Sequence, residues 1–127
     1  MTVRSRDRGR RWSGVSLVAV LLLVGSALPL PRRLNPDLGP YGPDKLLHLL
    51  GHACFTAALV AAVDDDGSAR VAVVAIVAST VYGVCTELLQ EIVPGRAFER
   101  GDVVAGLVGS IVGVAGWRRV ASRSRRE

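Results

Sequence analysis

Residues 13–30, SGVSLVAVLLLVGSALPL, run for 18 positions without a charged side chain. At about 1.5 Å of rise per helical residue this is roughly the thickness of a bilayer's hydrocarbon core, so the stretch reads as a membrane-spanning helix. Three more apolar stretches follow, at about 45–63, 69–93 and 103–120. The segments between them break helices. Pro31, Pro36, Pro40 and Pro43 with Gly39 and Gly42 predict an extended, stiff connection. Asp64-Asp65-Asp66-Gly67-Ser68 predicts a tight polar turn, and Pro94-Gly95 stops the third helix. The expectation is an all-α, polytopic membrane protein: a four-transmembrane-helix bundle over residues 13–120, with short connections that pack the helices up and down.

The arginine-rich start before an apolar run also has the form of a signal peptide, with Gly25 to Ala27 as small residues at a cleavage point. The run is long for such a segment and the rest of the chain is equally membranous, so a retained first helix is the reading adopted. Within 127 residues there is room for one domain, and 50% hydrophobic residues with a mean hydropathy of +0.35 exceed what a soluble domain needs.

Charge is placed as unevenly as hydropathy. Arg4, Arg6, Arg8, Arg10 and Arg11 lie in a basic tail over residues 1–12, and Arg118, Arg119, Arg123, Arg125 and Arg126 close the chain, the last three in a second tail over 121–127. Cytoplasmic flanks of membrane helices are enriched in this way. With both termini cytoplasmic, eleven of the 16 Lys and Arg residues fall inside, leaving Arg32, Arg33, Lys45, Arg96 and Arg100 outside. The predicted location is therefore the cell membrane, multi-pass, with N- and C-termini in the cytoplasm. The net charge of +5 is accounted for by these tails, which favour anionic lipid headgroups over nucleic acid as the partner. No nucleotide-binding loop, zinc-ligand spacing or serine-nucleophile elbow occurs, so no cofactor and no metal are expected. Cys54 and Cys85 read as small buried hydrophobes.

Polar residues inside apolar spans are costly and should face protein or water. Lys45, His48 and His52 are spaced three and four apart on one face of the second helix. Gly83, Glu87 and either Gln90 or Glu91 share a face of the third. Asp102, Gly106, Gly109, Gly113 and Gly116 form one stripe on the fourth, where absent side chains admit a neighbouring helix. Because the second helix begins where the third ends and the fourth begins, Lys45, His48, Glu87, Gln90, Arg96 and Asp102 are expected to converge in the outer half of the membrane.

This ordered set resembles the VanZ-like membrane protein family: Asp44-Lys45-Leu46-Leu47-His48 opening a helix, Glu87-Leu88-Leu89-Gln90 near the end of the next, Arg96 after a Pro-Gly break, and Asp102 seven residues before Gly109. The likeness covers about residues 44–113. It implies that the family's polar residues fall on Lys45, His48, Glu87, Gln90, Arg96 and Asp102. One departure stands out: four residues after the aspartate, where the family usually has asparagine, this chain has Gly106. The family is linked to low-level resistance to the antibiotic teicoplanin at the cell envelope, without an agreed reaction. The arginine-, valine- and alanine-rich style with the Asp64-Asp65-Asp66 turn also resembles members from halophilic archaea.

Three functions compete at this point. The first is binding of membrane lipids, specifically an anionic lipid or a lipid-linked envelope precursor, with Lys45 and Arg96 as phosphate partners. The second is a small intramembrane enzyme using His48 and Glu87 as an acid-base pair. The third is a structural role, in which Gly109 and Gly113 pack within the bundle or join a homo-oligomer.

Overall fold

Each helix boundary has a local cause. The computed structural model describes residues 2–28, 42–63, 68–124 and 126. The helices are α1 (Thr2–Ala27), α2 (Pro43–Val63), α3 (Ala69–Gln90) and α4 (Arg100–Ser124). Pro43 opens α2, where its missing N–H costs nothing and its fixed φ suits a helix, and Asp44 lies in the first turn against the positive end of the helix dipole. Ser68 caps α3 by accepting a hydrogen bond from the Arg70 N–H at 3.3 Å. After α3 the chain turns through Gly95, whose φ of 83° is one that residues with a Cβ rarely adopt.

The four helices are each long and apolar enough to cross a membrane, as the four apolar runs predicted. Their ends differ from the sequence reading. α1 continues back through the arginine run to Thr2, since nothing in that run breaks a helix, and it ends at Ala27. α3 stops at Gln90 rather than Val93, and α4 starts at Arg100 rather than Val103. The predicted connection over 31–41 and the turn over 64–67 lie outside the described residues.

The packing is the inverse of a soluble bundle. The most completely buried side chains are His52, Glu87, Val60, Thr56, Ser79 and Ser110, of which only Val60 is apolar. Leu21, Leu46, Val74, Ile92 and Ile111 are among many large hydrophobics more than half exposed. Such a surface is stable in lipid, and the polar interior is what helix association in lipid uses in place of the hydrophobic effect. Cys54 and Cys85, expected to be buried, are both exposed, Cys54 at the edge of the open space between α1 and α2.

α2 and α4 run parallel and are the most intimately packed pair. A Cβ on Gly109 would fall onto the Leu49 carbonyl, and one on Gly113 onto that of Ala53, so glycine at both positions sets the helix separation. Gly116, expected on the same seam, is exposed with open space around it. Below Gly113 the contact passes to side chains: Val60, Ala72, Ala75 and Val114 form a small apolar core flanked by Leu59, Val71, Ile76 and Trp117. α1 packs on α2 and α3. The Tyr82 hydroxyl donates to the Ala19 carbonyl at 2.6 Å, and the Arg11 guanidinium to that of Ala61 at 3.2 Å.

Candidate functional site

The polar residues gather at the end of the bundle where α2 starts, α3 ends and α4 starts. The chain order forces that meeting, and helical spacing turns the side chains inward. The Lys45 stem lies over Gly101, where a Cβ would approach within 2.8 Å, and its ammonium reaches Glu99 Oε2 at 2.7 Å and Asp102 Oδ1 at 3.4 Å. One turn deeper, His48 Nε2 stands between Glu87 Oε1 at 3.5 Å and Asp102 Oδ2 at 3.6 Å. Both separations exceed a good hydrogen bond. Glu87 Oε2 accepts the backbone N–H of Glu99 at 3.2 Å, which fastens the start of α4 to α3.

Arg96 works on the other side of the cluster. Its guanidinium lies 3.7 Å from Asp44 Oδ2 and donates to the Ser26 carbonyl at 3.1 Å. Gln90 donates to the same carbonyl at 2.9 Å. Gln90 therefore ties α3 to α1 rather than joining the His48 cluster, although sequence spacing placed it there. Between Gln90 and Glu91, it is Gln90 that is buried, while Glu91 is exposed. Of the six residues expected to converge, Lys45, His48, Glu87 and Asp102 meet directly, and Arg96 joins them through Asp44.

A second layer lies below. The His52 ring sits 6.3 Å from that of His48 and nearly parallel to it, at 13°. His52 Nδ1 is 2.8 Å from Ser79 Oγ, which accepts a hydrogen bond from Ser110 Oγ at 2.9 Å. The ring fills a slot between two glycines: a Cβ at Gly83 would come within 2.9 Å of it and one at Gly106 within 3.0 Å. The space beside position 106 is thus already occupied by imidazole.

Sequence reasoning missed two cluster members. Asp44 was visible, being one helical turn before His48 on the same face. Glu99 was not, because it precedes α4 in a segment with no periodicity. Among the described residues, three buried side-chain atoms have no hydrogen-bond partner: Glu87 Oε1, Arg96 Nε and Asp102 Oδ1.

The cluster also opens sideways. A cavity of about 410 Å³ lies between α1 and α2, walled by Val18, Leu21, Leu22, Leu47 and Leu50 and ending on Ser26, Asp44 and His48. Its wall is apolar and its end polar. Compared with family models, curated proteins and solved structures, the chain matches none.

Proposed function

We propose that the protein is a VanZ-like integral membrane protein of the cell envelope that binds an anionic lipid or lipid-linked headgroup. The observation that carries this reading is the cavity between α1 and α2, apolar along its wall and ending on the polar cluster. In this reading a hydrocarbon chain lies along the wall and the headgroup sits at the polar end, beside Arg96, which contacts both Asp44 and Ser26 there and whose Nε has no acceptor, with Lys45 next to Asp44 on α2. Carboxylates outnumber cations in the cluster, so the anionic group is held at the Arg96 edge rather than between Glu87 and Asp102. The asparagine that the family pattern has at position 106 is replaced by the His52 ring standing over Gly106, so the interior stays filled without it.

In this reading the polar cluster lies in the outer half of the membrane and both termini are cytoplasmic, because that orientation leaves most arginines inside. Reporter fusions at the two termini check the orientation.

Binding is tested with the purified full-length chain and phosphatidylglycerol against phosphatidylcholine, read by native mass spectrometry. A Lys45→Ala, Arg96→Ala double variant that inserts and folds is expected to bind phosphatidylglycerol at least tenfold more weakly. Wild-type affinity in that variant rejects the reading.

A further inference from the structure

The two cations of the cluster do not balance its carboxylates. Asp44, Glu87, Glu99 and Asp102 face Lys45 and Arg96, so carboxyl groups outnumber cations in a region where three of the four are buried. Buried charges are tolerated when they are paired or hold a metal ion. Two carboxylate oxygens there, Glu87 Oε1 and Asp102 Oδ1, have no hydrogen-bond partner although their side chains are 1% and 2% exposed.

The geometry around His48 is that of a ligand set. Asp44, His48 and Asp102 each offer a donor atom within 4.8 Å of the others. The first two are one turn apart on α2 and the third stands on α4, so the packing of two parallel helices assembles the group. His48 Nε2 lies 3.5 Å from Glu87 Oε1 and 3.6 Å from Asp102 Oδ2. These distances are long for hydrogen bonds, yet close to the roughly 3.4 Å between two donors that share a tetrahedral ion with bonds of about 2.1 Å. The outer contacts are those that orient carboxylate ligands, with Arg96 beside Asp44 and Lys45 beside Asp102.

We propose that Asp44, His48 and Asp102 bind one divalent transition-metal cation, with the Glu87 carboxylate standing beside His48. One imidazole with several carboxylates suits Zn²⁺ or Mn²⁺. Such an ion offsets the excess of carboxylates over cations and gives the Asp102 carboxylate a stronger partner than its long contact with Lys45. It also makes the end of the α1–α2 cavity attractive to a phosphate. The site stands on its own donors and does not rest on lipid binding.

The test uses the full-length chain in neutral detergent, purified without a polyhistidine tag, stripped with chelator and freed of lipid. Mn²⁺ is titrated with the free-ion electron paramagnetic resonance signal as readout, and Zn²⁺ by competition with a chromogenic indicator. One ion per chain is expected, with a raised unfolding temperature. Asp102→Asn and His48→Gln should each weaken binding at least tenfold. If either fails to fold, Asp44→Asn, at the edge of the cluster, supplies the same comparison, with helical circular dichroism and a monodisperse elution profile as the folding check. Absence of a stoichiometric ion on the wild-type chain overturns the proposal, as does equal binding by the folded variants, which would mark surface binding only. Because no lipid is present, either failure leaves the headgroup reading to its own experiment.

Discussion

The two ends of the bundle are built by different chemistry. Where α2 and α4 begin, the helices are joined by Lys45, His48, Glu87, Asp102 and the layer of His52, Ser79 and Ser110 beneath them. Where they end, contact passes to Val60, Ala72, Ala75 and Val114, with Trp117 alongside. In a lipid environment the apolar end gains only packing, because a valine facing lipid is already out of water. The polar end has more at stake, since each of its groups separated from its partner would be left unsatisfied in hydrocarbon. Specific geometry is therefore concentrated at one end, while the other is tolerant.

The largest expected effect lies between the two regions. Gly109→Leu drives a side chain into the Leu49 carbonyl, a backbone atom that cannot rotate away, and should cost at least about 3 kcal/mol or abolish folding. Unfolding titrated with denaturing detergent measures it. A stable, wild-type-like Gly109→Leu chain would show that α2 and α4 do not meet there.

Next comes the His52 slot. Gly106→Ala brings a methyl to 3.0 Å from the imidazole, which has Gly83 on its other side, so the ring must give by a few tenths of an ångström and its bond to Ser79 is disturbed. A loss of about 1–3 kcal/mol is expected. Nuclear magnetic resonance of the His52 ring protons would register the displacement. Ser79→Ala removes the side-chain partner of His52, while Ser110 keeps its bond to the Gly106 carbonyl, and should cost about 1–2 kcal/mol. A smaller loss would mean that the second layer finds other partners.

The apolar end sets the lower limit. Val114→Ala should cost about 1 kcal/mol in thermal or detergent unfolding, as the removed methyls leave a small gap against Val60. Gly116→Ala meets nothing and should be neutral or stabilising by up to about 1 kcal/mol through helix propensity. If Gly116→Ala were as damaging as Gly109→Leu, the close seam would extend the whole length of α4 and the contrast between the ends would fail.

Much of the site could be read from the chain before any coordinates. Lys45, His48, Glu87 and Asp102 were placed together by helical spacing and by the order of the spans. Gln90 had the right spacing but a different partner, because Ser26 of α1 stands opposite it and the 31–41 connection gave no sign of where α1 would pack. Glu99 was hidden for another reason: its position before α4 follows from the path of the loop, which has no repeat to count. Gly116 continues the stripe by spacing but lies off the seam, because beyond Gly113 the inward face of α4 passes to Val114 and Trp117.

The sequence by itself determined that there are four apolar helices with proline and glycine breaks between them, and that their costly polar residues lie toward one end. Periodicity and hydropathy are local properties, and lipid enforces them strictly because no backbone group can be left unpaired in hydrocarbon. Tertiary structure alone decided which polar atoms meet. His48 between two carboxylates, His52 between two glycines and the cavity beside α1 all depend on helix separations of a few ångströms. Those separations were set by glycine contacts across helices that no single stretch of sequence contains.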